Sequence, residues 1–462
     1  MKVKTVSAKT ALVKDQTDRS EWCDDVEIDI DESGQICAIR TVANGSKSSG
    51  ILLPGIANLH SHAHQRAMAG LAECAGDTSD SFWTWRTTMY GFLESIDPDD
   101  LNAIASQLYM EMLKAGYTRV AEFQYLHHQR DGRPYSNRAE MSLSTLHAAQ
   151  AVGLGITNLP VHYQFGGFGG QAIKAQQCRF ANDPEAIASI VQALIEAAGE
   201  DQNVVTGIAA HSLRAVTKEA FSDTLNALSH ISGLPIHIHI AEQTKEVDDC
   251  IAWSGCRPVR YLYDHFGVDE RWCLIHATHM DDNETQTMAK SGAIAGLCPT
   301  TEGNLGDGFF NATDYLMAGG AMGIGSDSHI SISPNEEIRW FEYGQRLIHH
   351  SRNQLSGGIN RSTGKTLFDL SVDGGAKACA HNSGAIAVGK RADFILLDDQ
   401  HPLLCQREGD EIIDSWIFSG NQNTVKDVYV GGQKVIENGH HKDETRIEQR
   451  FRQTLGKLRE NQ

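Results

Sequence analysis

Hydrophobic and polar positions alternate in two different ways along this chain. Short runs typical of strands occur near both ends, at residues 26–30, 36–39, 394–397 and 428–430, and residues 385–388 share their texture. Between about residues 54 and 380, apolar runs alternate with stretches of helical period such as 97–115 and 184–198. This pattern predicts a central α/β unit between two strand-rich flanks.

The central unit contains eight short apolar runs, the number of strands that closes a parallel barrel. The runs end near His60, Phe123, His162, His211, His239, His276, Cys298 and Asp327. We therefore predict an α/β fold, a (β/α)8 TIM-type barrel with a small companion β-sandwich domain formed by the N- and C-terminal flanks. The predicted boundaries are 1–53 and 381–440 for the companion domain, 54–380 for the barrel and 441–462 for a helical tail.

Composition and charge exclude several classes of protein. The formal net charge is 40 minus 59, or −19, which argues against nucleic acid or an anionic membrane surface as partner. No apolar run approaches the roughly 20 residues of a membrane span, and the N-terminal segment lacks a secretory signal. The ten cysteines are irregularly spaced without a CxxC pair, which favours reduced core thiols. We expect a cytoplasmic protein with a small-molecule partner.

Four residues at the ends of predicted strands form a candidate metal site. His60 and His62 lie two residues apart on an extended segment, so both imidazoles face the same way. His239 lies nearer than His237 to the C-terminal end of its strand, where barrel enzymes keep their active sites, and His237 is a candidate for supporting the ligands. Asp327 follows the last run and completes a His3Asp set for one zinc ion.

This ligand set leaves a position for water, whose pKa zinc lowers to about 7, and hydrolysis is the natural use. Glu242 follows His239 by three residues, and we expect it to carry the proton from water to the leaving nitrogen. His276 is the candidate for polarising the reacting group, and Asp327 counts as both ligand and catalytic residue. The fourth run, 204–211, has no lysine to bridge two metals, which favours a single ion, although iron or manganese also suits these ligands.

Each residue also has an ordinary structural explanation. Asp327 could cap a helix, Glu242 could lie at the surface, and His276 could be a core histidine. A non-catalytic barrel kept as a scaffold is the alternative from another class, and its signature would be a degenerate ligand set. The ligand set is complete here, which favours an enzyme.

The chain resembles the amidohydrolase superfamily, whose mononuclear aminohydrolases carry His-x-His, a later His-x-x-Glu, another His and a final Asp. The resemblance covers nearly the whole chain. More narrowly, several segments resemble those of members that hydrolyse N-formimino-L-glutamate. These segments are 58–62, 65–70, 81–86, 121–123, 211–214, 241–247 and 304–308.

The resemblance implies attack of water on the formimino carbon and release of ammonia, which leaves N-formyl-L-glutamate, in histidine breakdown. It places Arg214 and Tyr125 on one carboxylate of the substrate, Arg86 on the other, and Gln65 and His211 near the formimino end. The arginine fork suits a carboxylate. The resemblance also implies a homodimer, in which Arg86 is a candidate for serving the neighbouring subunit's site.

Three departures from the expected pattern concern substrate preference and leave the metal set intact. His64 stands where an aromatic residue is expected, Gln124 where His is expected, and Pro299-Thr300 where Leu-Ser is expected. The related alternative is an aminohydrolase acting on a cyclic amidine such as a guanine or cytosine-type base. A neutral heterocycle needs no cationic clamps, so Arg86 and Arg214 favour the dicarboxylate.

Overall fold

Two sheets frame the protein in its computed structural model. The residues that the structure describes are 3–15, 17, 19–42, 49–74, 82–359 and 361–460, without the side chains of 82–84, 87 and 88. Ser81, the first residue of the 81–86 segment, lies outside these ranges. None of the helices within the described ranges has the length and apolar character needed to cross a membrane.

The strands alternate with helices over most of the chain. The strands are β1 (Lys4–Lys14), β2 (Ser20–Ile30), β3 (Ile36–Thr41), β4 (Ile51–Pro54), β5 (Ile56–Ser61), β6 (Tyr117–Gln124), β7 (Gly155–His162), β8 (Val204–Thr206), β9 (Ile208–Ala210), β10 (Ile236–Ile240), β11 (Trp272–His276), β12 (Ile294–Leu297), β13 (Ala321–Ile324), β14 (Phe394–Leu397), β15 (Val425–Val430), β16 (Gln433–Glu437) and β17 (His440–His441). The helices are α1 (Phe82–Leu93), α2 (Pro98–Ala115), α3 (Glu140–Val152), α4 (Pro184–Ala198), α5 (Lys218–Ala227), α6 (Thr244–Ser254), α7 (Pro258–His265), α8 (Asp282–Ser291), α9 (Pro299–Leu305), α10 (Ala312–Met317), α11 (Pro334–His349), α12 (Thr363–Ala378), α13 (Asp410–Phe418) and α14 (Glu444–Glu460). Two short 3-10 helices span Ala63–Met68 and Ala175–Gln177.

The parallel sheet forms the predicted barrel. Its strand order is β13-β12-β11-β10-β9-β7-β6-β5, with β8 paired to β7, and all eight predicted runs are present as strands. The fourth run is split at Gly207, where a Cβ atom would lie 2.7 Å from the side chains of both Leu159 and Pro235. A bridge between Ser61 and Asp327 brings the first and last strands together, so the sheet nearly closes at the ends that carry the predicted ligands.

The companion sheet joins both flanks of the chain, as predicted. Its order is β17-β16-β15-β14-β4-β1-β2-β3, antiparallel except for the β1–β4 pair. All eight strands lie on one hydrogen-bonded path, so the strands of the predicted β-sandwich domain belong to a single sheet. Residues 385–388 were expected to share the strand texture, but they form bends and a turn, because Gly389 has φ +85° and donates its N–H to the Ile36 carbonyl. The exact domain boundaries stay a prediction.

Acidic caps fix the starts of the predicted helices. The stretch 97–115 forms α2, which begins one residue later because Asp97 is the N-cap: its carboxylate accepts from the Asp100 N–H at 2.9 Å, and Asp100 accepts from Asp97 in return at 3.2 Å. The stretch 184–198 is α4, capped by Asp183. The predicted helical tail contains α14.

All ten cysteines are free thiols, as expected, but their burial differs from the prediction. Cys250, Cys273, Cys298 and Cys379 are buried. The expectation of core thiols is wrong for three others, because Cys37, Cys74 and Cys405 are exposed.

Candidate active site

The four predicted ligands meet at one end of the barrel. His60 and His62 come from the end of β5, His239 from β10, and Asp327 from the turn after β13. The Nε2 atoms of His60 and His239 are 2.9 Å apart, and Asp327 Oδ1 lies 3.4 Å from His60 Nε2 and 3.3 Å from His62 Nε2. All four side chains are buried, and their candidate ligand atoms lie within 4.8 Å of one another. One ion can therefore contact all four.

Hydrogen bonds direct the ligand nitrogens toward the shared centre. His62 Nδ1 donates to the Phe123 carbonyl at 3.0 Å, and His239 Nδ1 donates to the His211 carbonyl at 2.8 Å. A carbonyl only accepts, so both rings carry their proton on Nδ1 and present a lone pair on Nε2. Burial lowers the pKa of His60 and His239 well below its usual range, which keeps these rings neutral. Three neutral imidazoles and one carboxylate fit a divalent cation.

Glu122 on β6 accepts hydrogen bonds from the His-x-His segment and from the residue after it. Its Oε2 accepts from the Ser61 hydroxyl at 2.6 Å and from Tyr109 at 2.9 Å, and its Oε1 accepts from the Ala63 N–H at 2.7 Å. Burial raises the pKa of this carboxyl to about 7 despite these three donors. Ser61 and Ala63 flank His62, so Glu122 fixes the backbone on both sides of a ligand. Sequence reasoning noted residues 121–123 only as part of a resemblance and missed this contact.

Glu242 and His276 face each other beside the ligands. Glu242 Oε1 lies 3.8 Å from His276 Nε2, and burial raises the pKa of Glu242 to about 7 although the charges of His276 and Arg214 oppose this shift. Burial also disfavours the charged His276 ring, but Glu242 and Glu302 outweigh it and raise the pKa of His276 to about 10. Glu302 Oε1 lies 3.2 Å from His276 Nδ1. These shifts favour the protonated His276 ring and allow Glu242 to exchange a proton near neutral pH.

Left-handed backbone turns aim several of these side chains. Ala241 has φ +51°, His276 has φ +67° and Asp327 has φ +45°. Such conformations cost non-glycine residues about 1–3 kcal/mol each and cluster at functional sites. They occur at or just after the ends of β10, β11 and β13, so the chain turns sharply next to the site residues.

A cavity opens onto this group. The five residues expected to bind substrate, Gln65, Arg86, Tyr125, His211 and Arg214, all line it together with Glu242, His276 and Asp327. Arg86 Nη2 donates to the Tyr163 hydroxyl at 3.3 Å, and its guanidinium lies 5.1 Å from the centre of the Tyr90 ring. Arg86 lines the cavity of its own chain, so no neighbouring subunit is needed to bring it there.

Sequence reasoning missed the apolar wall of the cavity. This wall consists of Trp85, Met89, Tyr90, Phe180 and Leu305. The first three share α1 with Arg86, at positions that fall on one side of a helix. Helical spacing around Arg86 was a signal that could have found Met89 and Tyr90. Trp85 and Leu305 lie in segments that were noted only as part of a resemblance, and Phe180 carries no local signal.

Other residues singled out from the sequence lie beside the ligand group. His237 Nε2 donates to the Ala378 carbonyl at 2.9 Å, so this nitrogen does not support the metal ligands directly. His64 Nε2 lies 2.9 Å from the Tyr125 hydroxyl, and Gln124 donates to the Leu126 carbonyl at 3.0 Å. Of the three departures, His64 thus touches a cavity residue.

Comparison with known proteins agrees with this geometry. The sequence profile described as "Amidohydrolase family" matches residues 51–435, and the chain belongs to that family. It is 51% identical to formimidoylglutamate deiminase of Pseudomonas aeruginosa over 443 residues, which cover 95% of this chain and 96% of that protein.

Two further proteins are similar to this chain at lower identity. The crystal structure of an amidohydrolase from Brucella melitensis superposes with a TM-score of 0.92 at 47% identity, covering 98% of this chain and 99% of that one. A 5-methylthioadenosine/S-adenosylhomocysteine deaminase of Natronomonas pharaonis is 22% identical over 413 residues, covering 88% of this chain and 87% of that protein. The fold and family place this chain among hydrolytic enzymes with a site for a divalent metal.

Proposed function

We propose that the protein hydrolyses N-formimino-L-glutamate to N-formyl-L-glutamate and ammonia. The observation that carries the proposal is the 51% identity, over 95% of the chain, to a protein named formimidoylglutamate deiminase. The cavity supports it, because two arginines line the same space as a buried carboxylate and a candidate metal group. A substrate with two carboxylates and a hydrolysable C–N bond matches both features.

In the proposed complex, Arg214 and Tyr125 bind one carboxylate and Arg86 binds the other. Gln65 and His211 lie near the formimino group. Burial, followed by the charges of Arg214 and Arg86, lowers the pKa of His211 well below its usual range. The neutral His211 ring can therefore accept or donate a hydrogen bond without adding a third positive charge.

The proposed chemistry uses Glu242 and His276 in turn. When bound by His60, His62, His239 and Asp327, a divalent cation supplies Lewis acidity that lowers the pKa of water. Glu242 accepts one proton as the water oxygen bonds to the formimino carbon and gives it to the imino nitrogen. It then carries the second proton from the new hydroxyl to the same nitrogen, so that ammonia leaves as the C–N bond breaks and the C=O bond forms. His276 donates its Nε2–H to the negative charge that develops on the atoms bonded to the tetrahedral carbon.

We further propose zinc as the native metal, with one ion per chain, and a cytoplasmic homodimer that acts in histidine breakdown. Three imidazoles and one carboxylate are a usual zinc donor set. Metal analysis of the purified protein tests the identity and number of ions. Light scattering tests the dimer.

The decisive experiment measures ammonia release from N-formimino-L-glutamate and metal content on one sample. Guanine, cytosine and 5′-methylthioadenosine serve as competing substrates, since the relative from Natronomonas pharaonis is named for a cyclic amidine. We expect turnover of the linear substrate to dominate. Equal or better turnover of a neutral base would contradict the proposal, and metal binding without turnover of any amidine would favour the non-catalytic scaffold.

A further inference from the structure

A second group of candidate ligands lies next to the first. It consists of His276, Cys298 and Asp327, which are buried and whose ligand atoms lie within 4.8 Å of one another. His276 ends β11, Cys298 follows β12 and Asp327 follows β13, and these three strands are neighbours in the barrel. The group therefore sits at the same catalytic end of the sheet.

The two oxygens of Asp327 face different groups. Oδ1 lies nearest the first group, 3.4 Å from His60 Nε2 and 3.3 Å from His62 Nε2. Oδ2 lies 3.8 Å from His276 Nε2. A carboxylate can bridge two cations with one oxygen each, and bridged ions in two-metal sites lie about 3.5–4 Å apart. Asp327 is oriented for such a bridge.

The charges around His276 favour a cation at this position. Glu302 occupies the Nδ1 side of the ring at 3.2 Å, and Glu242 lies 3.8 Å from Nε2. With Asp327, three carboxylates surround a single imidazole. A cation bound among them would offset part of this negative charge.

We propose that His276 Nε2, Cys298 Sγ and Asp327 Oδ2 bind a second divalent cation of the kind that accepts thiolate ligands, such as Zn²⁺ or Co²⁺. A thiol must lose its proton to bind the cation, and His276 must offer Nε2 without a proton. We call this group the secondary cation site. It binds more weakly than the first group, because it has three protein ligands instead of four and its thiol must lose a proton.

The secondary cation site has a consequence for activity that rests on the proposed function. A cation on Nε2 removes the N–H that His276 presents to the reacting group. Excess zinc therefore inhibits the enzyme, while zinc at one equivalent sustains it.

The test titrates Co²⁺ into protein that already holds one equivalent of metal. A thiolate bound to Co²⁺ gives a charge-transfer band in the near ultraviolet, which reports Cys298 directly. We expect a second equivalent to bind with this band in the wild type and in the matched control Cys273→Ser, whose thiol is buried on β11 outside both ligand groups. Cys298→Ser should lose the band and bind the second equivalent at least about tenfold more weakly, the minimum cost of losing even an outer partner of a metal site.

Two controls test for misfolding. The first is the variant Cys298→Ala, and the second is that each variant still binds the first equivalent of metal. The Cys298 backbone N–H donates to Glu302 at 3.0 Å, and both substitutions preserve it. An unchanged band in Cys298→Ser, or no second equivalent in the wild type, would overturn the site. In the activity arm, zinc inhibition should disappear in Cys298→Ser, and its persistence would overturn the inhibitory role. If the protein releases no ammonia from N-formimino-L-glutamate, the proposed function fails and the cobalt titration still decides the site.

Discussion

Replacing Glu242 by glutamine tests the proposed proton transfer. Glu242 is only 5% exposed, and glutamine has nearly the same shape, so the cavity keeps its form. The Glu242 backbone N–H donates to Glu246 Oε2 at 3.2 Å, and the substitution leaves this bond in place. Glu242 is outside the four-residue ligand group, so metal content should stay unchanged.

The expected loss follows from the role of the carboxyl. General acid–base catalysis contributes typically 10²–10⁴-fold, and glutamine can neither accept nor return the proton. Turnover should therefore fall by about 10² or more, which corresponds to about 3–5 kcal/mol of transition-state stabilisation.

The pH dependence of kcat/KM is an independent test of the role of Glu242. Burial raises the pKa of Glu242 to about 7, and only the ionised form can accept a proton. The rate constant kcat/KM should therefore rise with pH as the carboxyl ionises, at or below pH 7, because a bound cation favours the ionised form. Glu242→Gln should lack this acidic limb.

The assay is ammonia release from N-formimino-L-glutamate at several pH values, with metal per chain measured on the same samples. Glu246→Gln is the matched control: Glu246 is also buried, lies on α6, and as glutamine keeps an oxygen for the Glu242 N–H. We expect near-normal turnover in this control. Near-normal turnover in Glu242→Gln, or an unchanged acidic limb, would refute the proton-transfer reasoning.

Three further predictions concern substrate, ligand support and metal. Arg214→Ala should raise KM for N-formimino-L-glutamate by at least about tenfold, since a hydrogen bond to a charged group contributes about 1.5–3 kcal/mol; an unchanged KM would count against the clamp. Glu122→Gln should speed loss of metal to a chelator and weaken metal affinity roughly 10–100-fold, because it disturbs the clamp on Ser61 and Ala63, and equal metal retention in both proteins would show that the clamp is dispensable. Dialysis against a chelator should abolish activity and one equivalent of Zn²⁺ should restore it, whereas full activity in metal-free protein would exclude the metal-dependent mechanism.

The candidate ligand group could be predicted because strand geometry fixes its members. His60 and His62 share one face through the two-residue period of a strand. His239 and Asp327 lie near the ends of other strands, and a closed parallel barrel brings such ends together. The fold followed from the same alternation of apolar runs with helical stretches.

The supporting contacts could not be predicted, because they join segments without a shared local pattern. Glu122 reaches across from β6 to clamp Ser61 and Ala63, and Glu302 reaches His276 from α9. Each is a single carboxylate among 59 acidic residues, with no spacing to mark it. Residues 385–388 misled the strand assignment because an apolar turn and an apolar strand have the same composition over four residues.

The companion sheet constrains how the chain can mature. Strand β4 pairs with β14, which is synthesised only after every strand of the barrel. Until then, one edge of β4 offers unpaired backbone groups that another nascent chain could bind. A protein shortened after α12 would keep that edge open permanently, so we expect such fragments to aggregate even when their barrel is complete.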